Sequence, residues 1–145
     1  MINSVSITIP GSSVPLSSTT TPTLSDNGVL YAGVNGYDSL FNGVGAVYAF
    51  DPATLTRLDT IYTGDQVQAS SIVYSDTVEQ IDYVYFTTNS AQGAGFCYSY
   101  DAFGTIAQEW TAGGTSGNRY ALQGFSSDGG YLVYGDDGNN LYFMK

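Results

Sequence analysis

Residues 28–51, GVLYAGVNGYDSLFNGVGAVYAFD, decide the fold of this chain. Two short runs of small, β-branched and aromatic residues flank a connection rich in glycine and polar residues, which is the pattern of a β-hairpin. A second copy follows at residues 82–101 (DYVYFTT…GFCYSYD) and a third at residues 130–145 (GYLVYGDDGNNLYFMK). A repeat of about 50 residues indicates an array of similar antiparallel sheets, such as the blades of a propeller.

The segments that flank these hairpins are also repeated. Residues 5–9, 58–62 and 106–110 are short alternating segments, and each leads into a similar exit, as in Tyr62-Thr63-Gly64. We therefore predict that these segments are equivalent last strands of three sheets, and that residues 21–25, 70–75 and 122–127 are first strands. The Ser- and Thr-rich stretch before residue 21 is then a crossover between sheets rather than a stalk. The turns that begin at Asp51 and Asp101 start with a side chain that can accept hydrogen bonds from the turn backbone.

Counted in order, the strands predict an all-β fold. It is a β-propeller-like array of about three four-stranded antiparallel blades in one domain, residues 1–145, with repeats at approximately 20–63, 69–111 and 120–145. The last repeat lacks a fourth strand, and residues 4–9 are a fourth strand without a blade, so we expect residues 4–9 to pair beside residues 140–144. Propellers usually have four to eight blades. A second copy could therefore close a six-bladed homodimer, the chain could be a fragment of a longer propeller, or three sheets could form a compact unit.

The charge balance excludes several partners. Only three basic residues, Arg57, Arg119 and Lys145, accompany 13 acidic ones, for a net charge of −10. Nucleic acid and anionic lipid are bound by neutralising phosphates with Lys and Arg, so neither is expected as a partner. No apolar run approaches the ~20 residues that cross a bilayer. The first residues do not resemble a signal peptide, so an exported native protein would make this chain an excised domain.

Residues 45–64, GAVYAFDPATLTRLDTIYTG, resemble the pyrroloquinoline-quinone-type (PQQ-like) propeller repeat, which has a glycine, a strand close to LYALDAATG and a short last strand. Residues 83–101 followed by EWT, and the segment DGGYLVYGDDGNNLYFM, look like further copies. The likeness covers about residue 4 to the end and is closest to propeller-like segments of large surface proteins from Gram-positive gut bacteria. It implies the fold and an extracellular or cell-envelope location. It argues against the quinone, because Trp110 is the one tryptophan and the adjacent cysteine pair and quinone-contacting cations are missing.

Catalytic groups are scarce. The absence of histidine removes Ser-His-Asp and Cys-His catalysis and, with a single cysteine, any plausible zinc site. Cys97 aligns with Val47 and Leu141, so we expect a buried and unreactive thiol that forms no internal disulfide. A pair of carboxylates could still hydrolyse a sugar, with Glu109 as the strongest candidate. Most aspartates lie in predicted turns, however, and we expect no catalytic residue.

Two groups of residues are candidates for binding. Asp136, Asp137 and Asn139 offer oxygen ligands for calcium in a tight loop, although they lack the alternating spacing of a calcium-binding loop, and an Asp-Gly turn explains them equally. Exposed loop aromatics can stack on sugar rings or anchor a protein, although they can also cap the ends of the blades. The predicted ligand-binding residues are Tyr37, Phe41, Phe103, Arg119 and Tyr120.

The sequence therefore predicts a non-catalytic binding or structural module of a bacterial surface protein, with a glycan or a protein as ligand. Calcium is the one cofactor that the sequence leaves as a candidate, and the quinone is not expected. Two alternatives come from other classes. One is a carboxylate-dependent carbohydrate-active enzyme, and the other is a protein-assembly scaffold similar to the outer-membrane assembly lipoprotein that shares these repeats. Fold resemblance alone does not choose among them.

Overall fold

The computed structural model describes residues 4, 5, 7, 8, 16–89, 95–101, 104, 106–112, 126–128, 131–135 and 141–144. These residues form strands, turns and irregular segments without a helix, which confirms the all-β prediction. None of the described residues therefore belongs to a helix that could span a membrane. All strand pairs are antiparallel and are grouped into three sheets.

Each sheet follows the order of the chain. In the first sheet the neighbours are β1 (Thr23–Leu24), β2 (Leu30–Tyr37), β3 (Gly43–Phe50) and β4 (Arg57–Tyr62). In the second they are β5 (Ile72–Asp76), β6 (Ile81–Thr87), β7 (Gly95–Asp101) and β8 (Ile106–Ala112). The third sheet contains β9 (Ser126–Asp128), β10 (Tyr131–Gly135) and β11 (Leu141–Met144). Closure of these sheets into a propeller is not part of the described structure.

The first strand, β1, contains only Thr23 and Leu24, whereas the sequence predicted residues 21–25. The residues before it bond to β2 through their side-chain hydroxyls and not through a regular backbone ladder. Pro22 has no N–H to donate. The hydroxyls of Ser18 and Thr20 instead donate to the carbonyl of Gly33, at 2.8 and 3.1 Å. Ser17 adds an isolated antiparallel bridge to Asn35. Residues 16–22 therefore lie along β2, as a crossover between sheets would, and do not project as a stalk.

The first sheet is apolar on both faces. Its inner face contributes Tyr31, Val47, Ala49 and Ile61 to one core with residues of the second sheet, and the second-sheet residues are Val84, Phe86 and Tyr100. Its outer face forms a separate core of Val34, Ala46, Tyr48 and Phe50, and Leu16 and Ile7 pack against it. Burying each of these large side chains stabilises the fold by about 1.5–3 kcal/mol.

Equivalent positions of the first two repeats contact each other directly. The backbone N–H of Thr21 donates to Ser70 Oγ at 2.8 Å, and that of Asp26 donates to Ser75 Oγ at 3.1 Å, in both cases across 49 residues. Thr23 Oγ1 donates to the carbonyl of Ser71, 48 residues further on. The first two sheets are thus related by the period that the sequence predicts.

A buried aspartate joins the two sheets at one end. Asp82 on β6 is 1% exposed. It accepts hydrogen bonds from the Tyr31 hydroxyl at 2.8 Å and from the Asn27 side-chain amide at 2.9 Å, both from the first repeat. Burial, and next the hydrogen bond to Asp82, raise the pKa of the Tyr31 hydroxyl far above its ordinary value, so this hydroxyl remains a donor. The ring of Tyr31 meets that of Tyr100 edge to face at 6.0 Å.

The described residues of the predicted closing strand do not form a strand. Ser4, Val5, Ile7 and Thr8 do not belong to a strand. Thr8 instead accepts a hydrogen bond at its carbonyl from the Tyr48 hydroxyl, at 2.6 Å. Among the described residues, β11 pairs with β10 alone. Pairing of residues 4–9 with residues 140–144 stays a prediction.

We expect Tyr31→Phe to lower the free energy of unfolding by about 1–3 kcal/mol, because it removes one of the two donors that satisfy the buried carboxyl of Asp82. Urea denaturation measures this change. Tyr74→Phe is the matched control, since Tyr74 is 63% exposed and should tolerate the same deletion. Equal stability of Tyr31→Phe and the wild-type protein would contradict a structural role for the bridge between the sheets.

Candidate functional site

The hairpin loop between β2 and β3 presents the two most exposed large apolar side chains among the described residues of the first sheet and its loops. Leu40 is 77% exposed and Phe41 is 87% exposed, while Tyr37, at the end of β2, is 50% exposed. Residues 37–42 are called the apolar loop below. Two of its three apolar residues, Tyr37 and Phe41, are among those that the sequence predicted to bind a ligand.

Asp38 holds the apolar loop in one conformation. Its Oδ1 atom accepts the backbone N–H groups of Leu40 and Asn42, at 2.8 and 2.9 Å, and its Oδ2 atom accepts the Asn42 side-chain amide at 2.9 Å. The Asp38 N–H donates to the Asn42 carbonyl at 2.9 Å, and the Phe41 N–H donates to the Asp38 carbonyl at 3.1 Å. Hydrogen bonds from the Asn42 side chain and then from its backbone lower the pKa of Asp38.

Phe41 adopts an uncommon backbone conformation. Its φ angle is 62°, in the left-handed region that non-glycine residues seldom occupy. Such a conformation persists only where surrounding interactions determine it, and the hydrogen bonds of Asp38 do so here. The loop thereby projects an aromatic side chain into solvent where glycine or asparagine would be the residues expected from backbone preference.

The base of the apolar loop is fastened to the crossover that leaves the first sheet. Gln66, 4% exposed, donates from its side chain to the Gly36 carbonyl at 2.9 Å. A Cβ atom at Gly45 would overlap the backbone carbonyl of Asp65, so this position on β3 requires glycine. Burial raises the pKa of Asp65, and a hydrogen bond from the Gln66 backbone opposes that rise. The loop is therefore supported by a packed base.

The other predicted ligand residues do not join this site in the described structure. Phe103, Arg119 and Tyr120 lie outside the described residues. Asp101, before Phe103, pairs with Ile81 next to the buried end of the sheets, and a Cβ atom at Gly104 would lie 3.6 Å from Asp59. At about 3.3 Å per residue, the six residue steps along β2 from Tyr31 to Tyr37 separate this end from the apolar loop by about 20 Å.

The calcium candidates and the residues of the alternative, enzymatic interpretation lie apart from the apolar loop in the sequence. Asp136, Asp137 and Asn139 lie outside the described residues. Glu109, Trp110 and Cys97 are described by their backbones on β8 and β7, where Cys97 pairs with Tyr85 and Trp110. Within the described part of the chain, no cluster of three or more Cys, Asp or Glu residues is placed to hold a metal ion.

Several described aspartates accept hydrogen bonds from backbone N–H groups of their own turns, as expected for aspartate in a turn. Asp51 Oδ1 accepts the N–H groups of Ala53 and Thr54, at 2.8 and 2.9 Å, which confirms the role expected of Asp51. Asp76 does the same for Val78 and Glu79, at 2.9 and 3.0 Å. Asp38 is a third case. Their carboxylates are thus already engaged by turn donors.

Sequence reasoning missed Leu40 and Asp38. The signal was present, since Asp38 and Asn42 bracket a short connection between Tyr37 and a glycine-rich strand. Aspartate and asparagine at such positions accept hydrogen bonds from the turn backbone. What the pattern does not contain is the direction in which the tip residues project.

The described residues thus define the fold class: this is an all-β protein with three antiparallel sheets and an exposed apolar loop. Searches against protein-family models, curated proteins and solved structures found no match for this chain.

We expect the order of the apolar loop to depend on the ionisation of Asp38. Because the pKa of Asp38 is lowered in the folded protein, its carboxylate stabilises the loop above the ordinary aspartate pKa of 3.8, and this contribution is lost as the pH falls through the lowered value. Amide NMR shifts of Leu40 and Asn42, followed through an acid titration, measure the midpoint. It should lie below 3.8 and disappear in Asp38→Asn. A midpoint above 3.8 would contradict this role.

Proposed function

We propose that this protein is a non-catalytic binding module, built as a propeller-like array and displayed on a bacterial cell surface. The apolar loop contacts the ligand, which is a glycan or a protein. The observation that carries the proposal is the display of Leu40 and Phe41 on a loop that Asp38 locks by hydrogen bonds. The PQQ-like resemblance supports the array and the location.

The rigidity of the apolar loop favours binding over a passive role. Association normally costs about 0.5–1.5 kcal/mol for each side chain that must be ordered at an interface. A loop already held by Asp38 and by the Gln66 contact at its base reduces the backbone part of that cost. Exposed aromatic and aliphatic side chains then gain contact with a flat apolar surface, such as a sugar ring or an apolar patch of a protein.

Two observations support a non-catalytic role. Histidine is missing from the sequence, and several carboxylates already accept hydrogen bonds within the fold. Asp38, Asp51 and Asp76 accept hydrogen bonds from their own turns, and Asp82 is buried between two donors of the first repeat. A carboxylate that acts as a general acid or a nucleophile must instead face a substrate.

The array is supported by the way in which the first two sheets pack. Each is a four-stranded antiparallel meander, and the inner face of the first lies against the second. Hydrogen bonds between residues 48 and 49 positions apart relate them. A propeller combines these features, because each blade covers the face of its neighbour.

Tyr37→Ala and Phe41→Ala should each weaken ligand binding about tenfold or more, since a stacked ring contributes about 0.5–1.5 kcal/mol beyond the area that it buries. A glycan array probed with the wild-type protein and both variants measures the effect. Tyr74→Ala, which removes a 63% exposed ring from β5, should retain the wild-type profile. Wild-type binding that is unchanged in both loop variants would exclude the apolar loop as the glycan site.

If the wild-type protein binds no glycan, the ligand is a protein, and the same variants test it once a partner is identified. Incubation of the wild-type protein with a polysaccharide panel tests the non-enzymatic part of the proposal. Release of reducing sugar that is lost in Glu109→Gln would overturn it.

A further inference from the structure

The three central hairpins of the described sheets differ in the residues that connect their strands. The apolar loop reads YDSLFN, whereas the residues between β6 and β7 (88–94) read TNSAQGA and those between β10 and β11 (136–140) read DDGNN. The two later connections thus contain no large apolar residue. Closing such a hairpin therefore does not require Leu40 or Phe41, and exposed apolar residues that a fold does not need indicate a contact outside the chain.

The shape of the apolar loop limits what its ligand can be. Leu40 and Phe41 are 77% and 87% exposed, so the described chain places no wall around either side chain. Sites for saccharides and other small ligands are concave and bury most of the ligand surface. Here the protein supplies the projecting part, and the ligand must supply the cavity that surrounds it.

The charged and amide side chains of the loop are directed at the loop itself. Asp38 accepts three hydrogen bonds from it, two from backbone N–H groups and one from the Asn42 side-chain amide. Carboxylates and amides beside a stacking ring are the groups that would orient a sugar through its hydroxyls. Because Asp38 and Asn42 are bonded to each other, the tip presents mainly Leu40 and Phe41, which suits an apolar pocket better than a sugar.

The charges near the apolar loop have one sign. Asp38 lies within the loop, and the side chain of Asp65 lies against its end, because a Cβ atom at Gly43 would be 2.5 Å from Asp65 Oδ1. Among the described residues the one cation is Arg57, which pairs with Phe50, seven residue steps along β3 from Gly43 and thus about 23 Å away. The chain as a whole has a net charge of −10. A complementary surface around an apolar pocket therefore carries Lys or Arg.

We propose that the ligand of the apolar loop is a protein whose surface has an apolar pocket bordered by Lys and Arg. Leu40 and Phe41 enter the pocket, and Asp38 and Asp65 face its basic rim. A folded protein can offer such a cavity, whereas a glycan chain offers flat rings and hydroxyl groups. This inference rests on the proposed function, since it takes the apolar loop as the binding site and specifies the ligand.

A phage-displayed library of natural bacterial protein domains is the probe. Domains selected on the wild-type protein are purified, and their dissociation constants are measured by calorimetry. Phe41→Asn should raise the dissociation constant about tenfold or more, because it removes the side chain that enters the pocket while asparagine tolerates the left-handed backbone. Phe41→Tyr, which keeps the ring, should bind nearly as well as the wild-type protein. Tyr74→Ala is the control, since it removes a 63% exposed ring elsewhere and should not change the affinity.

The charge of the rim is tested separately. Asp65→Asn keeps an acceptor for the Gln66 backbone N–H and should raise the dissociation constant about two- to fivefold, because it removes one charge that faces the basic rim. Glu79→Gln is the matched control, since it removes an exposed charge from the turn between β5 and β6, at the other end of the sheets, and should leave the affinity unchanged. Added sodium chloride should weaken binding to the wild-type protein.

Selection of a domain supports the proposal only when its affinity depends on Phe41 and falls as salt is added. Loop-dependent binding that salt leaves unchanged or strengthens would overturn the basic rim, and with it the proposal. Glycan binding that is lost in Phe41→Asn would overturn this inference and leave the proposed function intact. If neither a selected domain nor a glycan depends on Phe41, or if the loop instead binds phosphatidylcholine vesicles, this inference and the proposed role of the loop both fail.

Discussion

The constraint on which this structure depends is that its first sheet is apolar on both faces. A sheet with one apolar face can leave the other in water, but Tyr31 and Val47 on one side of the first sheet and Val34 and Tyr48 on the other must all be covered. The second sheet covers the inner face, and Leu16 and Ile7 contribute to the cover of the outer face. Two-sided burial makes the first sheet depend on the elements that cover it, so its stability rests on contacts with the second sheet and with the segments before β1.

Polar groups in this structure mostly serve the backbone and the spacing of the sheets. Asp38, Asp51 and Asp76 each accept N–H groups that a short turn leaves without a partner. Asp82 is different, because it is buried between two sheets and takes its donors from the preceding repeat. A carboxyl in that position is costly unless both donors are aligned, and it therefore favours one relative placement of the first two sheets.

The apolar loop shows how such a scaffold can carry a binding surface. The side chains that project, Leu40 and Phe41, contribute little to the core, whereas Asp38 and Gln66 hold the backbone that positions them. The residues whose side chains are exposed at the tip thus differ from the residues that hold the loop backbone in place. Because Leu40 and Phe41 are exposed, the fold does not depend on burying them, and loops on rigid scaffolds are where binding residues are commonly found.

The sequence by itself indicated the central hairpins and the last strands of the first two sheets, with their antiparallel order, because alternation and turn residues are local properties that each hairpin carries. It did not fix the length of β1, and the described residues of the predicted strand 4–9 form none. It also indicated Asp51 as a turn residue and Phe41 as a loop aromatic, whereas Tyr37, predicted in the loop, is the last residue of β2. Only the tertiary structure decided that Asp82 bridges two repeats, that Leu40 projects beside Phe41, and that Leu141 is exposed while Val47, its counterpart in the first repeat, is buried. These features depend on which sheet lies over which face, and contacts between residues about 50 positions apart leave no mark on the local pattern.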